Sequence, residues 1–353
     1  MAIKRGVSSY CYQNLFFERK MDHRSFIGGV RENLNTDGIE IIDEQIINGF
    51  PFLDEKFVFD WHNTMARYNM KAVTMDCFLD TMQFRDHVMT YGEAAERIKN
   101  CLRIAARLGF ENVRALATTP IEVIEMALPT AEEVGVRLAV EVHAPLQLIP
   151  DSAAMNARGA YEGAIVDPGI SARMCELKDK TGSEYIGIVP DMGLFQYGIA
   201  PYVIEQVKEK VKNDDAVEMA LSLRSTMPGD DILRILKEKF PNTDLTAIPA
   251  IYTTQGSSKI EDLTKMVPYI LSVHGKFYDM IEDPENPGHY VESTIDYKAV
   301  FDALNAGGYD GYVCSEFEGQ VGLAGLGVDG NTQVDEVEQV RRHHEMMRDF
   351  GAI

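Results

Sequence analysis

Four side chains of metal-binding type stand out in this chain: Glu141, Asp191, His274 and Glu316. Each closes a short apolar run, VRLAVE, YIGIVPD, YILSVH and DGYVCSE. A β-strand that ends in water at a fixed rim is spelled this way, and four such endings predict one ring of ligands gathered from four strands. Three oxygen donors and one imidazole suit a hard divalent ion, Mn²⁺ first, with Mg²⁺ or Co²⁺ as alternatives, rather than a soft-metal site. Taken singly, an Asp or Glu after an apolar run is an ordinary loop cap or ion-pairing residue. The set of four carries the reading.

Two further side chains lie two residues beyond a ligand, the spacing that returns a strand residue to the same face. His143 follows Glu141. Its imidazole, with an ordinary pKa near neutrality, is a candidate catalytic base; the alternative is a structural histidine bonded to a loop carbonyl. Lys276 follows His274. Either it reaches a substrate oxygen and stabilises an enolate, or it pairs with Asp279 or Glu282.

Something must bring these groups together. Apolar β-type runs are predicted near 5–10, 38–42, 71–77, 112–117, 136–142, 185–190, 268–274 and 311–316. Amphipathic helical stretches fall between them, near 54–68, 91–108, 120–134, 170–181, 201–212, 230–239, 259–267 and 296–306, with a final helix near 333–349. Eight strands alternating with helices predict a closed (β/α)8 TIM barrel, whose strand C-termini share one face; an open doubly wound α/β sheet is the alternative. The 353 residues are read as a single barrel domain, 1–353, with inserted helices and long rim loops at about 144–169 and 192–267. Both inserts follow ligand-bearing strands, which places them on the rim as a lid or partner surface, or as decoration.

The order Glu, Asp, His, Glu on the last four strands resembles the xylose isomerase-like superfamily of sugar isomerases, epimerases and inosose dehydratases. The likeness runs from RGVSSYCYQ to VCSEFEG, with a wide Asp191–His274 gap as its departure. Within it, GVSSYCYQ, VEVHAP, VPDMGLF and HGKFYDM look like the catalytic α subunit of bacterial C-glycoside deglycosidases. That resemblance implies a divalent metal at the barrel mouth, held by Glu141, Asp191, His274 and Glu316. It also implies a 3-oxo-glycoside substrate, cleavage of its carbon–carbon glycosidic bond by proton abstraction and β-elimination, and a small β subunit as partner. The alternative is sugar isomerisation, epimerisation or keto-inositol dehydration at the same site. Two more residues then become substrate-binding candidates. Arg114, on the fourth strand, either contacts an anion or carbonyl or faces the helix layer; Glu40, on the second, either bonds a sugar hydroxyl or pairs with a lysine.

Composition removes other classes. The net charge of −21 argues against nucleic acid and anionic membranes, because phosphate binding is driven by Lys and Arg. It also disfavours an apurinic-site nuclease on this barrel, which needs many histidines and a basic face. A non-enzymatic binding subunit stays open and predicts no bound metal. No apolar run approaches a membrane span, and MAIKRGVSSY lacks a signal-peptide core. Five widely spaced cysteines predict neither a disulfide framework nor a zinc site, so a cytoplasmic setting is expected. Gly325–Gly330 fits GxGxxG by letter but is read as a loop, and His343 and His344 are read as a solvated helix face.

Overall fold

Eight parallel strands form the centre of the computed structural model: β1 Lys4–Ser8, β2 Gly38–Ile42, β3 Lys71–Cys77, β4 Asn112–Ala115, β5 Arg137–Val142, β6 Ile186–Pro190, β7 Val273–Phe277 and β8 Tyr312–Phe317. The residues described are 2–156, 159–161, 164–252, 256–319 and 335–353. The strand order is β6-β5-β4-β3-β2-β1-β8-β7. Two isolated parallel bridges, Ile188–Ile270 and Asp191–His274, join the two outer edges and nearly close the barrel. The expected (β/α)8 barrel is therefore the observed one.

These strands are buried almost throughout because both faces are covered, by helices outside and by the opposite strands inside. At the N-terminal end of the barrel, glycines make the room. A Cβ on Gly6 would lie 2.7 Å from Cys314 Sγ, and one on Gly38 would lie 2.6 Å from the Tyr312 ring.

The longer helices are α1 His23–Leu34, α2 Glu55–Tyr68, α3 Tyr91–Leu108, α4 Ile121–Val134, α5 Ile170–Thr181, α6 Pro201–Val211, α7 Asp214–Leu223, α8 Gly229–Lys239, α9 Ile260–Met266, α10 Tyr297–Ala306 and α11 Glu336–Asp349. The pattern in α3 shows why such segments coil. Thr90 accepts the Glu93 N–H while the Glu93 carboxylate accepts the Thr90 N–H, a capping box whose loss costs about 1 kcal/mol. Ile98, Cys101, Leu102, Ala105 and Leu108 form its buried face, and Gly109 ends it at φ 81°.

Helix α1 has no counterpart in the sequence reading. Its capping box uses Asp22 with Ser25 in place of an acidic partner, and Gly28 and Gly29 interrupt its periodicity. Packing explains Gly28: a Cβ there would lie 2.9 Å from Tyr68 Oη on α2.

Between β6 and β7, helices α6, α7 and α8 and the turn Ile248–Ile251 pack around their own core, which includes Val207, Val217, Ile232, Leu236 and Ile248. Tyr202 on α6 donates to the Gly319 carbonyl at 2.8 Å, tying this insert to the chain just beyond β8.

Two expectations are corrected. His274 does not close its strand; it is the second residue of β7. Pro268 sits in a 3₁₀ turn over Val267–Tyr269, and the stagger of barrel strands brings His274 level with Cys314 and Asp191. His343 and His344 are not solvated. They are 0% and 1% exposed, because strand alternation turns Ser315 outward and its hydroxyl meets His343 Nδ1 at 2.8 Å and His344 Nε2 at 3.0 Å. The Gly325–Gly330 loop lies outside the described residues. No helix of the described residues is long and apolar enough to cross a membrane.

Candidate metal centre

Glu141 is the penultimate residue of β5, Asp191 directly follows β6, His274 is near the start of β7, and Glu316 is near the end of β8. One donor atom from each lies within 4.8 Å of the others, and all four residues are buried. His274 directs Nδ1 to this group, 2.8 Å from Glu141 Oε1 and 3.4 Å from Glu316 Oε2. The Asp191 carboxylate is aimed by its own backbone turn, with Oδ1 accepting the Gly193 N–H at 2.7 Å. Its other oxygen, Oδ2, and Glu316 Oε2 are buried and face the Lys276 ammonium, at 3.0 and 3.2 Å. Three buried carboxylates converging with an imidazole nitrogen fit a hard divalent cation in donor type, number and placement.

A second group, Glu40, Asp76 and His274, meets on the other ring nitrogen. His274 Nε2 lies 3.4 Å from Glu40 Oε1 and 3.8 Å from Asp76 Oδ1. Arg114 already neutralises this group. Its Nε is 3.0 Å from Asp76 Oδ1 and its guanidinium reaches Glu141 Oε2 at 3.6 Å. The four-residue group offers three carboxylates to this group's two, so it is the better site.

The electrostatics divide the ring. Burial works to raise Glu141, but Arg114 and His274 outweigh it and hold the carboxyl at about 2. Burial also opposes ionisation of Glu316, yet Lys276 and His274 keep it well below the usual carboxylate range. Asp191 goes the other way: burial lifts it to about 7, only partly offset by Lys276 and His143. Glu40 is likewise raised to about 7, by burial and by Asp76. His274 is pushed well above an ordinary imidazole; burial lowers it, but Glu40, Glu316 and Glu141 prevail.

Lys276 is 2% exposed and its ammonium is 3.0 Å from Asp191 Oδ2, 3.2 Å from Glu316 Oε2 and 2.9 Å from Glu318 Oε2. Its partners are thus in the site, not Asp279 or Glu282. His143 is half-buried, with Nδ1 donating to the Ala144 carbonyl and Nε2 3.3 Å from Lys276 Nζ. The loop-carbonyl bond and the site position both hold: the bond fixes the proton on Nδ1 and turns Nε2 inward. Burial lowers the His143 pKa, but Asp191, Glu141 and Glu318 together outweigh it and leave it raised.

Arg114 points inward but is 2% exposed and engaged with Asp76 and Glu141; Glu40 is fully buried against the far nitrogen of His274. Both lie behind the ring of donors. Three participants were missed. Asp76 ends KAVTMD, the same spelling that singled out the other four. Glu318 is two residues past Glu316, the spacing that singled out His143 and Lys276. Tyr10, which donates to Glu318 Oε1 at 3.1 Å, carried no signal of its own.

The fold and sequence have known counterparts. D-psicose 3-epimerase from Clostridium cellulolyticum H10, solved with D-tagatose, matches with a TM-score of 0.54 at 13% identity, covering 99% of this chain and 98% of that one. An IOLI protein solved with a zinc atom matches with a TM-score of 0.52 at 14% identity, covering 99% and 98%. The fold is the (β/α)8 TIM barrel of these proteins. In sequence, the C-glycoside deglycosidase alpha subunit of Arthrobacter globiformis is 26% identical, covering 89% of this chain and 84% of that protein. The 3'-dehydrocarminate deglycosidase alpha subunit of a Microbacterium species is 25% identical, covering 99% and 95%. No protein-family model matches the chain. The curated relatives are therefore enzymes named as alpha subunits of deglycosidases.

Proposed function

We propose that this chain is the catalytic subunit of a divalent-metal-dependent C-glycoside deglycosidase, a carbon–carbon lyase acting on 3-oxo-C-glycosides. The observation that carries this reading is the buried ring of Glu141, Asp191, His274 and Glu316 with His143 and Lys276 beside it. Relatives of deglycosidase name at about a quarter identity over nearly the whole chain support it. Their naming as alpha subunits supports a small β subunit as partner.

The four ring residues would hold Mn²⁺, or Mg²⁺ or Co²⁺ in its place. When bound, the ion supplies Lewis-acid polarisation of the sugar ketone and cancels the carboxylate charge around it. The Ala144 carbonyl holds the His143 proton on Nδ1, which leaves Nε2 as a proton acceptor. His143 takes the proton on the sugar carbon between the ketone and the glycosidic carbon. Lys276 stands within reach of the same space and places its ammonium by the oxyanion that forms. Collapse of the enolate breaks the bond from the glycosidic carbon to the aromatic carbon. That carbon takes up a proton and leaves as free aglycone, and the sugar becomes unsaturated next to its ketone.

The test is aglycone release from a 3-oxo-C-glycoside by the purified chain, alone and co-expressed with a small partner subunit, with Mn²⁺ and with a chelator. Metal-dependent release is expected. Absence of release in every arm, together with epimerisation of unmodified ketoses by the chain alone, would replace this reading with a sugar isomerase or epimerase.

A further inference from the structure

Away from the metal centre, three buried groups from three elements meet just outside the barrel: Asp43, which directly follows β2, Cys77 at the end of β3, and Cys101 in the middle of α3. All three are 0% exposed. Cys77 Sγ lies 2.8 Å from Cys101 Sγ, and Cys101 Sγ lies 3.7 Å from Asp43 Oδ2. Nothing in the proposed chemistry uses them.

The sulfur separation decides what such a group can do. Two thiolates on one tetrahedral ion, each about 2.3 Å from the metal, stand roughly 3.7 Å apart. Two sulfurs joined to each other stand about 2.05 Å apart. At 2.8 Å the pair is too close to share a metal and is within a small movement of a bond. Alternation along β3 places Cys77 outward, toward α3, while its neighbour Asp76 turns inward to Arg114.

We infer that Cys77 and Cys101 are a peroxide-oxidisable dithiol, with Asp43 as the proton acceptor of Cys101. The Cys101 S–H gives its proton to Asp43, and the thiolate attacks one oxygen of hydrogen peroxide. The O–O bond breaks, sulfur is oxidised to the sulfenic acid, and the departing hydroxide leaves as water with the proton from Asp43. The Cys77 thiol then attacks that sulfur, expels a second water and forms the disulfide. Two thiols and one peroxide thus give one disulfide and two waters. Asp43 is suited to the transfer, since burial lifts its carboxyl to about 7. Cys77 stays protonated until the sulfenic acid forms, its thiol raised by the hydrogen bond to Cys101 and by burial. Burial of both sulfurs makes the reaction slow. Closure ties the end of β3 to α3 and encloses residues 78–100, the loop 78–90 and the first half of α3.

The experiment uses the full chain, purified reduced, treated with hydrogen peroxide, then denatured and alkylated. The expected product has lost two hydrogens, offers three of its five cysteines to the alkylating agent, and yields one peptide pair linked through Cys77 and Cys101. Retention of all five thiols, linkage of any other pair, or oxygen addition without linkage overturns the inference. So does recovery of the untreated protein with a soft metal ion that holds both thiols. Cys77→Ser and Cys101→Ser each abolish the linked peptide, and the wild-type mass alone decides the matter should either variant fail to fold.

Discussion

Glu40 Oε1 faces His274 Nε2 across 3.4 Å, and neither side chain has any exposure to solvent. The other nitrogen of the same ring looks toward Glu141, so one imidazole joins the ring of donors to a second, fully buried carboxylate. In metal sites of this kind the outer carboxylate fixes the tautomer and angle of the ligand histidine. Glu40, which the sequence offers as a sugar contact, stands in that relation to His274.

Glu40→Gln keeps the volume and removes the charge. The expected result is a 10- to 100-fold weaker affinity for Mn²⁺, measured by titration of chelator-stripped protein, with an unchanged circular dichroism spectrum. An unchanged affinity would deny the orienting role.

His143→Ala tests the base. Positioned proton transfer contributes about 10²- to 10⁴-fold, so aglycone release should fall by that amount while the metal content of the purified variant matches wild type. Activity that survives with the metal in place would assign the proton to another group, and Lys276→Met would be the next comparison.

The barrel was legible because its physics is repetitive: strands buried on both faces read as short apolar runs, and the positions of β2, β3, α3 and α5 follow directly. The quartet was legible for the same reason, since a charged residue ending an apolar run is conspicuous. Asp76 obeyed that rule and was passed over because no partner for it can be read from spacing. His343 and His344 were misread because RRHHEMMRD is polar by letter. Only the tertiary structure shows that Ser315 and Arg5 supply partners for them inside the helix layer. The depth of His274 was hidden too, because strand stagger is a property of the closed barrel and leaves no mark on the run YILSVH.

Gly275 separates His274 from Lys276 and faces away from the site. A Cβ on it would lie 2.9 Å from Val313 Cγ1, 3.1 Å from the Cys314 carbonyl oxygen and 3.3 Å from His343 Cε1. One contact is with backbone, so β7 must yield. Gly275→Ala should cost about 1–3 kcal/mol in chemical denaturation and should weaken Mn²⁺ binding as His274 shifts with its strand. Wild-type stability would show that β7 and β8 accommodate the methyl group without moving.

His343 and His344 make folding sensitive to acid. In the unfolded chain both titrate near an ordinary imidazole pKa of about 6.5. In the folded chain burial holds His343 at about 3, while burial, with Arg5 and His343 adding to it, drives His344 well below the usual value. Above pH 6.5 both are neutral in either state and stability is unaffected. Below it the unfolded chain takes up protons that the folded chain refuses, so stability falls as pH drops, from about 6.5 toward about 3 for His343. The unfolding constant should rise by up to about tenfold per pH unit for each proton. Denaturant titrations of wild type and His343→Phe at pH 7.5, 6.0 and 5.0 isolate one of the two, because phenylalanine can keep the stack on Phe277, at 4.2 Å between ring centroids, and does not titrate. The variant should start less stable, having lost the Ser315 bond, and should lose less stability than wild type between pH 6.0 and 5.0. Parallel slopes for the two proteins would mean that His343 is protonated in the folded chain as easily as in the unfolded one.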